Sequence, residues 1–371
     1  MQELKNKKVI GLMSGTSCDS IDAAFCIVKP DFSVELIKGI NFPYPKEIRD
    51  IIFEAFRGEI NIKDLCKLDF LIGECFALAS NELIKNYGKP DFIASHGQTV
   101  YHFPFDEKIG GLSSKSTMQI GQSAIISAKT GCKVISNFRE DDIAYGGNGA
   151  PLVCFADSKW FKNSLVQNIG GISNVTVVAD DCPVFGFDNA CGNIMIDYCV
   201  NKFFNQKYDK DGAIALSGKI DDKFLSELLK DEYYSKFPPK TTGREHFSKE
   251  YIEEKLKFAP NEKQDVITTL AYLCAKTITD SYNNFVFNKT TPKNVIIGGG
   301  GSYNKAIMKF LRELLPNNIE LKTHEDFNIS NNYKEAMAFA LLGYCRYYNL
   351  ENNVPSCTGA KKAVSMGKIT G

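Results

Sequence analysis

The sequence predicts an α/β chain of two domains built on one duplicated pattern, and three observations carry that expectation. With 371 residues the chain exceeds what one small hydrophobic core usually organises. Strand-like apolar runs alternate with helix-period segments along both halves. A glycine-containing turn follows the first strand of each half, at Gly15 and at Gly171, which suggests two similar halves rather than a short-period repeat.

The elements follow in order. "KKVIGLM", "IDAAFCIV" and "FSVELIKGI" read as three strands of a β-meander, punctuated by Gly, Ser, Thr, Asp and Pro. Residues 64–87 carry Leu68, Leu71, Ile72, Cys75 and Leu78 at helical spacing, and Gly88 closes that helix. "DFIASHGQTV" is a buried strand that should end in a polar, glycine-containing turn. "NSLVQNIGGISNVTVVADDCPVFGFD" repeats the strand, turn, strand, turn, strand order, and a long helix follows from 265 with Val266, Leu270 and Leu273 on one face. "NVIIGGGG" at 294–301 is a strand running into four glycines, and "SYNKAIMKFLRELL" is the next helix. No low-complexity linker interrupts the chain, so the hinge is sought near "GGNGAPL" at 146–152. The expected domains are 1–137 and 138–354, with 355–371 joining the first.

Composition narrows the function. Lys plus Arg and Asp plus Glu number 44 each, so no net field draws nucleic acid or an anionic membrane, and a small-molecule ligand is expected. The apolar run near the start is too short for a signal-peptide core, and no stretch approaches the ~20 residues of a membrane span. The twelve cysteines are scattered through apolar segments without a CxxC pair, which reads as free thiols in a reducing cytoplasm. The four histidines lack metal-ligand spacing, and no protein-built metal cage is expected.

Three glycine-rich turns at strand ends, "GLMSGTSCDS", "NIGGISN" and "IIGGGGSYN", leave backbone N–H groups and small residues where phosphates can approach. None has the Walker A pattern or a dinucleotide fingerprint. Two strand–turn–strand units with a late glycine-rich turn fit instead an actin-like, ribonuclease H-like duplicated fold, in which the nucleotide lies in a cleft flanked by the two domains. In "FGFDNACGN", Asp188 stands at an expected strand end among small residues. From these residues alone it is either a catalytic base or a polar turn residue.

"GLMSGTSCDSID", "SHGQTVYHFP", "QIGQSAIISAKTGCKVISNFREDDIAYGGNGAPLV", "NIGGISNVT", "GFDNACGN", "KDGAIALSG", "PPKTTGREHF", "IIGGGGSYN", "EAMAFALLG" and "NVPSCTGA" occur in this order along nearly the whole chain. In these motifs the chain resembles the anhydro-N-acetylmuramic acid kinase family. The resemblance implies an ATP-dependent kinase of cell-wall recycling that opens 1,6-anhydro-N-acetylmuramic acid with water and phosphorylates O6, with ATP and Mg²⁺ as cofactors and a homodimer as the assembly. It implies Asp188 as the base. It places Gly15, Thr16, Ser17, Cys18, Asp19, Ser20, Ile21 and Asp22 in a nucleotide turn, with Mg²⁺ near Asp19. Gly170 and Gly171 fall in a second phosphate turn, and Gly298, Gly299, Gly300 and Gly301 on the nucleoside side. His96, Gln98, Arg139, Asn148 and Glu335 are implied to face the sugar, Arg139 as a fork for the lactyl carboxylate or else paired with Asp141 or Asp142. Arg244 is a further phosphate or substrate candidate, or else a helix-start ion pair.

The family's usual "GFDTGPGN" is here "GFDNACGN", with Asn189, Ala190 and Cys191 in place of Thr, Gly and Pro. Asn137, Asn148 and Asn332 stand where Asp, Gln and Asp are usual. These changes predict a looser turn beside Asp188 and a possible change of sugar. The alternatives kept open are a kinase for a related anhydro-sugar such as levoglucosan and a non-catalytic sugar or nucleotide sensor.

Overall fold

The structure is a computed structural model that describes residues 3–371. Strands are numbered in chain order: β1 (Lys7–Ser14), β2 (Ser20–Val28), β3 (Val34–Pro43), β4 (Phe92–Ile109), β5 (Leu112–Ile120), β6 (Val134–Ser136), β7 (Ser164–Ile169), β8 (Ile172–Val178), β9 (Phe185–Cys191), β10 (Asn294–Gly298), β11 (Glu320–Thr323) and β12 (Lys368–Thr370). The chain divides into two compact units, residues up to 160 with 328–371, and residues 161–327.

The two units share one sheet plan. In the first, β3, β2 and β1 form an antiparallel meander, and β1 continues through parallel pairing to β4 and β6. In the second, β9, β8 and β7 form the meander, and β7 continues through parallel pairing to β10 and β11. The duplicated ribonuclease H-like pattern is therefore present as strand order. The turns at Gly15 and Gly170–Gly171 occupy the same place in it, between the first two strands of each unit.

Each unit has its own apolar core. In the first, Ile10, Leu12, Phe25 and Ile93 pack against the helix Ile62–Tyr87 through Leu68, Ile72, Cys75, Phe76 and Leu83. Asn61 caps that helix by accepting the Asp64 N–H at 3.0 Å, and Gly88, at φ 87°, ends it. In the second unit Leu165, Val175, Val177, Val295 and Ile297 meet the helix Lys263–Phe285 through Val266, Leu270 and Leu273.

Three expectations are corrected. The division falls at 160/161 rather than 137/138, and the chain returns to the first unit at 328 rather than 355. The reason is packing: the helix Lys334–Tyr347 lies so close on β1 that a Cβ at Gly11 would stand 1.9 Å from the Ala336 carbonyl oxygen. Second, β4 does not stop after "QTV" but runs on to Ile109, because β5 supplies an antiparallel partner. Third, Asp188 is the fourth of the seven residues of β9, not a strand end.

Candidate functional site

In the second unit the Asp188 carboxylate is held by one segment. Its Oδ2 accepts from the Thr241 hydroxyl at 2.8 Å and from the Thr242 N–H at 2.9 Å. The main chain of Asp188 is fixed as well: its N–H donates to the Lys240 carbonyl at 3.1 Å, and its carbonyl accepts from the Tyr233 hydroxyl at 2.9 Å. Desolvation raises the carboxyl above its ordinary value, against the opposing hydrogen bonds of Thr242 and Thr241. A half-buried carboxylate with raised basicity and one oxygen, Oδ1, outside these bonds suits proton abstraction.

A cavity of about 450 Å³ in the same unit is lined by Asn193, Asp197, Asp209, Gly300, Tyr208 and Tyr303, among others. Asp197 is pushed up to about 6, first by desolvation and then by Asp209. Asp209 itself accepts the N–H groups of Ile214 and Ala215 at 2.9 and 3.0 Å, which shapes the "KDGAIALSG" wall. Glycine at 300 leaves its surroundings open, the nearest atom to a built Cβ being Asn193 Nδ2 at 3.8 Å. The other three members of that run are glycine for packing. A Cβ would stand 2.1 Å from the His324 ring at Gly298, 2.5 Å from Asn168 Oδ1 at Gly299 and 2.3 Å from the Ile169 side chain at Gly301. Gly170 and Gly171 form the β7–β8 turn, bonded through their carbonyls to the N–H groups of Asn193, Gly192 and Ile194. Their faces are open enough for a ligand, with no atom closer than 3.5 Å to a built Cβ.

In the first unit Arg139 is aimed rather than loose. Its Nη1 donates to the Gly149 carbonyl at 2.8 Å, and its Nε and Nη2 lie 3.2 and 3.0 Å from His96 Nε2. His96 Nδ1 lies 2.9 Å from the Gly97 carbonyl, so the ring donates through Nδ1 and accepts through Nε2. Burial, with Arg139 second, pushes His96 well below its ordinary value and keeps it neutral. Burial also lowers Arg139, to about 10, which leaves the guanidinium charged at neutral pH. The alternative ion pair with Asp141 or Asp142 does not form. Asp142 instead accepts from Gly149 N–H, Asn353 and Thr358 at 2.7–2.9 Å, and so builds the loop that Arg139 leans on. Asn148 in that loop takes Lys115 Nζ at 2.7 Å. Glu335 opens the helix Lys334–Tyr347, exposed to solvent; desolvation by the surrounding protein nevertheless raises its carboxyl, with Lys334 opposing.

Several site candidates serve other purposes. Gln98 is fully buried, bonded to the Ser14 hydroxyl at 2.5 Å and to backbone carbonyls, and both His96 ring nitrogens are engaged within the protein. The side chains of Cys18, in the turn at φ 52°, and of Ile21, in β2, belong to the core. Asp19 is exposed and meets Arg49 at 2.7 Å, while Asp22 Oδ1 accepts from Asn41 and Ser20. The Arg49–Asp19 pair is exposed on both sides, and an exposed carboxylate is the kind of oxygen donor that Mg²⁺ takes together with waters and phosphates. Gly15, Thr16 and Ser17 are also accessible in this turn. Arg244 is exposed and forms no ion pair among the described residues. The sequence motifs alone do not mark Asp197, Asp209, Tyr208, Tyr303, Thr241 or Thr242 as site residues. Only the motif strings "KDGAIALSG" and "PPKTTGREHF" pointed towards some of them.

The family model for anhydro-N-acetylmuramic acid kinase matches residues 7–371. The chain is 42% identical to the anhydro-N-acetylmuramic acid kinase of Caldanaerobacter subterraneus subsp. tengcongensis, over 99% of this chain and 97% of that one. The chain belongs to the anhydro-N-acetylmuramic acid kinase family. It is also 40% identical to the same-named protein of Clostridioides difficile, over 97% of both chains. Among solved structures it is similar to gluconate kinase from Lactobacillus acidophilus, at 10% identity over 98% of this chain and 94% of that one, with a TM-score of 0.49.

Of this chain's departures from the usual anhydro-N-acetylmuramic acid kinase motifs, the three in β9 are buried. Asn189 is buried between Gln167 Nε2 at 2.9 Å and the Ser281 hydroxyl at 2.7 Å. Ala190 and Cys191 are buried strand residues, and neither has a positive φ. The looser turn expected there is absent because no turn exists at these positions. Asn137 does hold a left-handed conformation, at φ 59°, which an asparagine tolerates.

Proposed function

We propose that the chain is an ATP-dependent kinase that opens 1,6-anhydro-N-acetylmuramic acid with water and delivers the γ-phosphoryl group to O6. The products are N-acetylmuramic acid 6-phosphate and ADP. The observation that carries this reading is the clamped Asp188 carboxylate at the aspartate of the family's "GFD" motif.

Asp188 takes a proton from water, whose oxygen bonds to the anomeric carbon. The C1–O6 bond breaks, and O6 attacks the γ-phosphorus as the bond to the ADP oxygen breaks. The proton leaves from Asp188 to solvent. Arg139, held by His96 and Gly149, pairs with the lactyl carboxylate, and Glu335 bonds a sugar hydroxyl. The cavity around Asp197, Tyr208, Gly300 and Tyr303 takes the nucleoside, and the open turns at Gly15 and Gly170–Gly171 take the phosphates. Mg²⁺ would enter with the nucleotide and offset the charge of its phosphates. A cytosolic enzyme is the reading that the scattered cysteines of the sequence favour, and no described helix is long and apolar enough to cross a membrane. The homodimer rests on family membership and is read by sedimentation.

The test is ADP release with Mg-ATP and the muramic sugar, native against Asp188→Asn. The variant should lose ~100- to 10,000-fold in rate, the usual scale of general-base removal. A variant that keeps the native rate, or a native protein that phosphorylates no anhydro-sugar, removes the reading.

A further inference from the structure

Lys240 is a lysine only 9% exposed, one residue ahead of the pair that grips Asp188. Its ammonium group lies 4.7 Å from the centre of the Tyr233 ring, 5.0 Å from that of Phe285 and 5.9 Å from that of Phe187. It also donates to the carbonyls of Tyr233 and Tyr234 at 3.3 and 3.4 Å. A desolvated cation enclosed by three aromatic rings is costly to place and hard to move, since the cation–π attraction and both carbonyl bonds depend on one position.

That position closes a ring of contacts around Asp188. The Lys240 carbonyl accepts the Asp188 N–H, Thr241 and Thr242 hold the carboxylate, and the Tyr233 hydroxyl donates to the Asp188 carbonyl. Lys240 joins the two sides of this ring, because its side chain binds the Tyr233 side while its main chain begins the Thr241–Thr242 side. We propose that Lys240 is a positioning residue for the reaction: its buried ammonium group locks the 240–242 segment against the Tyr233 turn and so fixes the orientation and charge of the Asp188 carboxylate. This rests on the reading of Asp188 as the base.

The electrostatics agree with the geometry. Burial pushes Lys240 down to about 8, with Asp188 favouring its charged form and Lys236 opposing it. Reciprocally, Lys240 lowers the Asp188 carboxyl while Glu245 raises it. The charged and titratable groups facing the pair are therefore Lys236, Glu245 and the Tyr233 phenol. As pH rises through the Lys240 value the cation is lost, the lock weakens, and an alkaline limb follows.

The experiment is the pH dependence of kcat and KM for native enzyme, Lys240→Met, Lys240→Arg and, in parallel, Asp188→Asn. Lys240→Met should lose roughly 10- to 100-fold in kcat, the scale of a misplaced catalytic group, with the KM for ATP unchanged. It should also lose the alkaline limb, and its acid limb should move to higher pH, because the cation that favours ionised Asp188 is gone. Lys240→Arg should recover most of the rate, keep the native acid limb and carry its alkaline limb upward. A merely structural lysine lowers the amount of folded enzyme and moves neither limb. Native kcat with an unmoved acid limb in Lys240→Met overturns the proposal. If that variant does not fold, an alkaline limb left near the native position in Lys240→Arg overturns it. Loss of rate in Asp188→Asn beside unmoved limbs in the Lys240 variants sinks the positioning role alone, whereas a fully active Asp188→Asn removes the base and this inference with it.

Discussion

Replacing Arg139 by lysine separates a carboxylate reader from a structural arginine. In the native protein one arm of the guanidinium is spent on the Gly149 carbonyl, and the Nε and Nη2 edge abuts His96, so the fork is fixed before any ligand arrives. Lysine keeps the charge but offers one nitrogen, which cannot serve Gly149, His96 and a carboxylate together. A hydrogen bond to a charged group contributes about 1.5–3 kcal/mol, so losing one arm on the lactyl carboxylate should lower kcat/KM for the muramic sugar about 10- to 150-fold, mainly through KM. The assay is coupled ADP release with two sugars: 1,6-anhydro-N-acetylmuramic acid, and a 1,6-anhydro sugar without the lactyl group, such as levoglucosan. For the second sugar Arg139→Lys should change kcat/KM by no more than about 3-fold, because there is no carboxylate whose bond can be lost. An equal fall for both sugars refutes the reasoning, since it would place Arg139 in the architecture of the loop and not on the substrate.

Three further outcomes are expected. The Asp188 carboxyl is raised above its usual value by burial, and the base must be ionised, so the rate should fall as pH drops through a limb lying above the ordinary ~3.9 of an aspartate; a limb at or below that value in a pH–kcat/KM profile contradicts it. Gly301→Ala places a methyl 2.3 Å from the Ile169 side chain and should cost about 1–3 kcal/mol in urea unfolding, whereas Gly300→Ala should leave stability unchanged and raise the KM for ATP. Asn189→Ala removes one buried partner each from Gln167 and the Ser281 hydroxyl, which keep backbone carbonyls, and should destabilise by about 0.5–1.5 kcal/mol on thermal unfolding, with sugar preference unaltered.

What the sequence made legible follows from period and punctuation. The two meanders, the helix closed at Gly88 and the strand ahead of the four glycines each announce themselves within about ten residues, and each is present in the structure. What it hid depends on partners far away in the chain. The extension of β4 to Ile109 exists because β5 pairs with it, and the return of the chain at 328 depends on how the helix Lys334–Tyr347 seats against Gly11. The same holds within the site. Arg139 was visible as a residue type, but its aim comes from His96, Gly149 and Asp142, which are brought together only by folding. In the first glycine turn the motif alone did not show that the Cys18 and Ile21 side chains lie in the core or that Asp19 pairs with Arg49.

The altered "NAC" stretch shows why a departure next to a catalytic aspartate need not reach the substrate. β9 bulges at Asn189, the extra residue between the Asp188–Asn174 and Ala190–Ser173 pairs, and the side chains of Phe187, Asn189 and Cys191 are buried while Asp188 is only half-buried. Asn189 completes a buried polar chain in which the Tyr282 hydroxyl donates to Gln167 at 2.6 Å, Gln167 donates to Asn189, and Asn189 donates to Ser281. Such a chain is costly to break and cheap to keep once every member is satisfied. Ala190 is fully buried, and its carbonyl accepts from the Ser173 hydroxyl. None of the three offers an exposed polar group to a sugar, so substitutions here act on how firmly β9 is held.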